Sequence, residues 1–448
     1  MIEYEKFTLW NTKIYFAIEI KSKYEVVYLQ NHIQEENNTT KPFLEPETDF
    51  KILGVNNKEG LFDAYIEKGK NIKQPYQVVK KDWLAYNPYR VNVGSIGLKN
   101  DSHLYEWISN AYVVFSCKND LLPEFLYKIF LTEIFNQQIK DFTSGSVRQN
   151  LSYDILANLQ IPLPALSIQN QLVTDYQARL QQAGKAEQQA SELEQGIETY
   201  LLDALGIEFE TEKQPETDST YKFLKFVELR DVLEWGVDKI LFSKRCFSTK
   251  HPLQNLKKAN AVLDAFRGKS PDYAENTNTI ILNQKCNRWN EIKIEYSKTV
   301  NKNWFDLIDS KFKTSENDIL INSTGEGTIG RSSLVTKDFE NMIYDSHILL
   351  LRLNQEKINS LFLVYQFNSN FIQQQINQIK SAQSTKQTEL GLDNLFKILF
   401  ALPPLPTQNE IVAHIEAKKS EIKRLKSEAE RLRREAKEVF EKEIFTQQ

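Results

Sequence analysis

The chain has 448 residues, enough for two or three domains. Hydrophobic residues make up 41% and charged residues 26%, globular proportions that exclude wholesale disorder, and 26 Phe with 19 Tyr favour half-buried strands. A formal charge of −4 argues at first against a nucleic-acid partner. The distribution of charge changes that reading. Residues 166–218 hold 11 acidic and 3 basic side chains, residues 406–448 hold 9 and 10, and the remainder carries about +3. DNA binding is permitted but not demanded. The three cysteines, Cys117, Cys246 and Cys286, are far apart, and no C-x-x-C pair suggests zinc or a disulfide framework. The N-terminus MIEYEKFTLWNTK lacks the apolar run of a signal peptide, and no stretch of about 20 apolar residues follows. A reduced, cytoplasmic setting without membrane contact is expected.

In chain order, residues 1–165 read as a globular domain of mixed strands and helices, containing the glycine pair Gly94-Ser-Ile-Gly97. Prolines 162 and 164 then precede a long helix over 166–206, where rigid extended chain is tolerated. Tyr176, Arg179, Ala183, Ala186, Ala190, Leu193, Ile197 and Tyr200 alternate three and four apart, the period of a coiled-coil seam. A helix from Ile168 to Leu205 would be roughly 55 Å long. Gly206 is the expected stop, and 207–220 (IEFETEKQPETDST) reads as a polar linker. A second globular domain follows over 221–405. Its strand Asp318–Asn322 leads into Gly325-Glu-Gly-Thr-Ile-Gly330 and then a second strand at RSSLV. Residues 406–448 form a second heptad helix with Ile415, Ile422, Leu425, Ala429, Leu432, Ala436 and Val439 on the seam and Lys418 as the polar exception. The first helix is acidic and the second richer in Lys and Arg, so the two are expected to pack antiparallel on each other.

The chain repeats itself. Aligning Gln169 with Gln408 sets an offset of 239 residues, at which Leu163, Pro164, Leu166, Asn170 and Val173 match Leu402, Pro403, Leu405, Asn409 and Val412. Upstream, Ser146-Val-Arg-Gln is similar to Ser384-Thr-Lys-Gln, and Gly94-Ser-Ile-Gly97 to Gly327-Thr-Ile-Gly330. The fold class is therefore α/β (α+β), with two globular domains alternating with two long antiparallel helices in a pseudo-twofold internal repeat.

Three segments look catalytic at first sight. Gly325–Gly330 fits G-x-G-x-x-G, but a dinucleotide site needs a helix next, and the β-branched RSSLV reads as a strand, so the glycines mark a turn. Asn87-Pro-Tyr89 is similar to the Asn-Pro-Pro-Tyr loop of amino-methyltransferases, but the second proline and a cofactor loop are missing. Asp345 and His347 share a strand face without a third ligand of suitable type, which favours a hydrogen-bonding role over a metal site. No catalytic residue and no metal ligand is assigned.

The twice-present pattern of a Leu-Pro pair (Leu163-Pro164 and Leu402-Pro403), a Gln five residues after that proline, and a long amphipathic helix resembles the specificity subunit of Type I restriction-modification systems. Residues 318–331 (DILINSTGEGTIGR) and 344–352 (YDSHILLLR) resemble the target recognition domain of that family, and the likeness spans nearly the whole chain. The resemblance implies two target recognition domains reading the halves of an interrupted site on double-stranded DNA. It implies two adenine-N6 methyltransferase subunits docked on the helices, with restriction subunits joining. S-adenosylmethionine, ATP and Mg2+ would belong to those partners, and this chain would hold no cofactor and do no chemistry. An N-terminal helical segment seen in some members is expected to be short or absent. Base reading needs Arg, Lys, Asn and Gln on loops. The candidates are Lys80, Lys81, Arg90, Asn92, Arg148 and Gln149 in the first half. In the second they are Arg267, Lys269, Lys285, Asn287, Arg288, Arg331, Lys386 and Gln387. Gln169, Asn170, Gln408 and Asn409, repeated at the helix starts, are the candidate partner-binding residues. The recognition subunit of a Type IIB system and a coiled-coil scaffold without DNA specificity remain as alternatives.

Overall fold

The computed structural model describes residues 19–91, 94–143, 150–209, 247–325, 327–380 and 389–445. Two compact units emerge: Met1–Gln188 with Arg424–Gln448, and Gln189–Lys423. Each takes one globular domain, part of the first long helix and part of the second.

Unit 1 opens with β1 (Val26–Tyr28), β2 (Ile33–Glu35), β3 (Thr39–Thr40), β4 (Asp49–Asn56), β5 (Gly60–Lys68) and β6 (Tyr76–Val78). It continues with β7 (Leu84–Tyr86), β8 (Ile96–Leu98), β9 (Trp107–Ser109) and β10 (Val113–Cys117). Helices α1 (Pro123–Phe130), α2 (Glu133–Thr143) and α3 (Tyr153–Ala157), then β11 (Gln160–Pro162), lead into the long helix α4 (Leu166–Leu205). An antiparallel sheet of order β2-β10-β7-β8 is central. Its strands are apolar on both faces because each face covers a different core. Leu84, Tyr86 and Phe115 point to α1 and α2, while Ala85 and Val114 point to a second cluster with Leu53, Leu61 and Ile108. That second cluster is closed by a five-stranded sheet of order β3-β6-β9-β4-β5. Helix α1 begins with Pro123 in its first turn and carries Glu124 early and Lys128 late, in keeping with the helix dipole.

Unit 2 contains β12 (Glu208–Phe209), β13 (Phe247–Ser248), β14 (Leu253–Gln254), β15 (Val262–Arg267), β16 (Ile280–Leu282), β17 (Lys298–Thr299) and α5 (Lys302–Leu307). Then come β18 (Ile319–Asn322), β19 (Ser332–Leu334), β20 (Ile343–Tyr344) and β21 (Ile348–Leu353). Helices α6 (Ser360–Phe367), α7 (Asn370–Lys380) and α8 (Leu392–Leu395), then β22 (Phe400–Ala401), precede α9 (Leu405–Ile444). Its central sheet has the order β15-β21-β18-β19, the same antiparallel connection as in unit 1. Again the faces divide: Ile319, Ile321, Leu349 and Leu351 join one core, Leu320, Ile348 and Leu350 another. At the sheet edge Asp318, almost fully buried, holds the Arg352 guanidinium by Nη2 at 2.7 Å and Nε at 2.8 Å. The satellite sheet is smaller than in unit 1: its three strands, β17-β16-β20, repeat the antiparallel hairpin and parallel pair of β5-β4-β9, and no counterparts of β3 and β6 extend it among the described residues.

The glycine run lies between antiparallel strands β18 and β19, as a turn in which Gly325, Gly327 and Gly330 take φ of 94°, 70° and 81°. Helix α4 stops at Gly206, where Gly206 N–H donates to Asp203 C=O and Ile207 N–H to Leu202 C=O. The segment expected as linker departs from that reading at its start, because Glu208–Phe209 pairs with Phe247–Ser248. Residues 210–220 lie outside the described residues.

The long helices are antiparallel within unit 1: Tyr176 packs edge-on against Phe440, and further along Glu187 meets Arg433. Ala183 and Ala186, with Ala429, Leu432 and Ala436, are buried on that seam. Near its end the seam departs from the heptad reading. Val439 is exposed and Phe440 and Ile444 are buried, a stride of four that follows the 3.6-residue turn. In unit 2 Tyr200 stacks on His414 at 4.0 Å, and Leu201 and Leu205 share a core with Ile411 and Ile415. In each unit a glutamate of a long helix accepts a hydrogen bond at the start of a short one: Glu441 from Ile134 N–H of α2 at 2.9 Å, and Glu198 from Asn370 N–H of α7. Among the described residues no helix is long and apolar enough to cross a membrane.

Candidate nucleic-acid interface

In unit 2 the loop after β15 is held against residues 344–346. Gly268 N–H donates to Ile348 C=O and Lys269 N–H to Tyr344 C=O. Arg267 is spent on structure, with Nη1 2.5 Å from Glu389 and Nε donating to Ser346 C=O. Lys269 lies over the Phe312 ring, 3.7 Å from its centroid. Gly268 allows this packing, since a Cβ there would sit 1.9 Å from Asp345 C=O.

The loop 283–293 folds onto β18 and β19 through an asparagine lattice. Asn287 Nδ2 donates to Leu320 C=O, Asn322 Oδ1 and Arg331 C=O, and its Oδ1 accepts from Ser333 Oγ. This corrects one expectation: Asn287 is 1% exposed with its amide saturated, so it positions the loop and does not reach a base. Arg288 N–H donates to Glu291 C=O, closing a turn over Trp289 and Asn290, and Asn290 has φ 64°. The Arg288 guanidinium stacks on Tyr296 at 4.6 Å, and Arg331 lies over Trp289 at 5.3 Å. Burial, then the neighbouring Arg288 charge, lower the proton affinity of Arg331. Lys285 is exposed.

In unit 1, Lys80 and Lys81 are exposed beside β7, with Lys80 over Trp83 at 5.1 Å and Lys81 paired to Asp101 at 2.7 Å. Arg90 is exposed on the turn between β7 and β8. Asn87 Oδ1 accepts from Tyr89 N–H, which fixes that turn, so the Asn87 side chain serves the backbone. Asn92, Arg148, Gln149, Lys386 and Gln387 lie outside the described residues.

The repeated Gln-Asn pairs also depart from expectation. Gln169 is fully buried: Oε1 accepts from Leu122 N–H at 2.8 Å, and Nε2 donates to Asp120 C=O and Pro164 C=O at 2.9 and 2.8 Å. Gln408 repeats this with Asn359 N–H at 3.0 Å and Pro403 C=O at 2.9 Å, plus a long contact to Lys357 C=O. Both side chains are inside the protein and are therefore not partner contacts. Asn170 and Asn409 are exposed; Asn170 bonds its own helix at Leu166, and Asn409 accepts from Asn359 Nδ2. A second such pair was missed by sequence reading. Gln138 bonds both backbone groups of Gln160, and Gln375 both of Leu399. The similarity of Asn136-Gln-Gln-Ile139 to Gln373-Gln-Gln-Ile376 was the available signal.

Among the described residues no group of three His, Cys, Asp or Glu is placed to hold a metal. Asp345 Oδ1 accepts from His347 N–H, and His347 Nδ1 lies 2.9 Å from Thr324 Oγ1, so both secure a turn. Burial pushes the Cys117 thiol up to about 12 and raises that of Cys286, the opposite of an activated nucleophile. The arrangement is that of a duplicated scaffold presenting cationic and aromatic loops.

A family model described as the Type I restriction modification DNA specificity domain matches residues 12–193 and again 268–431. The chain belongs to that family. No curated protein sequence matches it. Among solved structures, a chain from work on complex assembly and conformational transition of the type I R-M system is 15% identical, with TM-score 0.58, over 96% of this chain and 99% of that one. The HsdS subunit from Thermoanaerobacter tengcongensis is 14% identical, with TM-score 0.52, over 95% and 98%. At these identities the likeness is one of fold.

Proposed function

We propose that this chain is the DNA-specificity subunit of a Type I restriction-modification complex, reading a bipartite, asymmetric site on double-stranded DNA and positioning two adenine-N6 methyltransferase subunits and the restriction subunits. The observation that carries the proposal is a repeated frame bearing unequal attachments. Both units have the same four-stranded sheet, helix pair and glutamine pins, but among the described residues their satellite sheets have five and three strands. A frame used twice with different loops suits two different half-sites. The long helices are the surface proposed for the methyltransferase subunits. The chain does no chemistry in this reading; S-adenosylmethionine, ATP and Mg2+ are used by its partners, in the cytoplasm.

The test is co-expression with a methyltransferase subunit of a Type I system that forms a complex with this chain, followed by long-read mapping of N6-methyladenine. A single interrupted motif that appears only with this chain present is expected. Exchanging residues 221–394 for the corresponding domain of another family member should alter one half of that motif. An unchanged motif after the exchange refutes the two-module reading.

A further inference from the structure

We propose that Arg288 and Arg331 form a paired guanidinium site on unit 2 that reads the O6/N7 edge of guanine. The inference rests on the DNA-recognition reading above. Of the four described arginines in this unit, Arg267 is paired with Glu389 and Arg352 with Asp318. Among the described residues Arg288 and Arg331 have no carboxylate partner, although each is stacked on an aromatic ring. Asn287, next to Arg288 in the chain, bonds the backbone of Arg331, and the Arg288 charge acts on Arg331; two cations so placed without a counter-ion repel each other, and that cost is recovered when an acceptor arrives. Arg331 shows the deficit directly. Its Nε is shielded from solvent without a hydrogen-bond partner, and its Nη2 has only a 3.4 Å contact with Gly327 C=O.

The surroundings are built to hold these two forks still. Each guanidinium carbon lies over an aromatic ring, Arg288 on Tyr296 and Arg331 on Trp289, which restrains the side chain against its loop. The backbone segments that carry them are bolted together by Asn287, which bonds Arg331 C=O, and by Asn290 N–H, which donates to Ser332 C=O. Asn368 completes the brace, donating to Asn290 Oδ1 at 2.7 Å and to Ser332 C=O at 2.8 Å. A phosphate needs only a nearby positive charge and tolerates a mobile lysine. A planar fork held at fixed orientation fits the two adjacent acceptors of guanine. Phosphate oxygen and guanine share the acceptor chemistry, so the test separates them.

The experiment uses the assembled complex with its methyltransferase subunit, carrying R288K, R331K or neither. Lysine keeps the charge and removes the fork; R288A and R331A remove both, and thermal melting of each complex checks folding. The expected result is that both lysine variants lose roughly 5- to 150-fold discrimination at G·C positions in one half of the motif, while the other half is read as before. Relaxed methylation confined to those positions supports the proposal. Altered positions that are not G·C pairs, or an unchanged motif in both lysine variants, overturn it. So does a uniform loss of affinity in the alanine variants, with a salt slope reduced by about one per arginine and an unchanged motif, which identifies a phosphate contact. A wild-type complex that binds DNA with no sequence preference overturns the parent reading instead.

Discussion

Replacing Gln169 by Ala should loosen unit 1 locally and leave unit 2 untouched. The substitution strands one buried N–H, at Leu122, and two carbonyls, at Asp120 and Pro164. An unsatisfied buried polar group costs about 1–3 kcal/mol, and water entering the small cavity recovers part of that, so a net loss of about 2–4 kcal/mol is expected. Hydrogen exchange read by mass spectrometry isolates the effect, because two units need not unfold together. Exchange at the Leu122 amide should accelerate roughly 30- to 1,000-fold, with the Asn359 region unchanged. Q408A should do the reverse with a smaller factor, since one of its three contacts is 3.5 Å long. Q169E adds a sign. Burial holds its carboxyl protonated in the fold, raising its pKa above the unfolded value of about 4.3, so the penalty is least below about pH 4 and grows as pH rises. Unchanged exchange in Q169A, with loss of the co-purifying methyltransferase subunit, would refute this reasoning and return Gln169 to a partner surface.

Lys128, wedged between the Tyr127 and Tyr176 rings at 4.9 and 4.6 Å, is lowered by burial to about 8. Its folded pKa lies below the unfolded value of about 10.4, so the unfolded chain binds more protons between them and stability rises with pH across that window. K128M should be about 1–2 kcal/mol more stable at pH 7, after the ring contacts offset part of the burial penalty, and the gain should vanish near pH 10.4 in melting curves. G268A should destabilise unit 2 by about 2–3 kcal/mol in a thermal melt, because the new Cβ meets backbone at Asp345 and Tyr344, which cannot give way. E187A removes a fork to Arg433 between side chains 43% and 47% exposed. It should cost less than about 1 kcal/mol and nothing measurable in 1 M salt, so the helix pairing is held by its buried seam.

The frame was legible in the sequence to the extent that it is periodic. The two helices announce themselves by heptads and by prolines before them, and the glycine turn by β-branched strands on both sides. The site was less legible, because burial is a tertiary property. Asn287 and Arg288 are adjacent polar residues, alike in type on paper. The fold sends the Asn287 amide into a carbonyl lattice and the Arg288 guanidinium onto Tyr296. Repetition also misled at Gln169 and Gln408. A polar residue repeated at a helix start suggests a shared partner, whereas here the shared partner is the protein's own backbone. The stacking rings, Trp289 and Tyr296, carry no spacing signal, since their contacts are set by where a loop of irregular backbone turns.

Anchoring through backbone groups explains how one frame carries two different surfaces. A pin that bonds a side-chain partner would tie the identity of that partner to its own. Gln169 and Gln408 bond N–H and C=O groups, which every residue but proline supplies in full, so Leu122 in one unit is Asn359 in the other with the pin unchanged. Gln138 and Gln375 do the same at Gln160 and Leu399. The loops outside this set of bonds are then free to change sequence and to gain or lose edge strands without disturbing the frame, as β6 and β3, which extend the sheet of unit 1 beyond β9, show. On the proposed reading, specificity would lie in the side chains the frame leaves unpaired, which is why the uncompensated guanidiniums of Arg288 and Arg331 mark the place to look for the reading of a base.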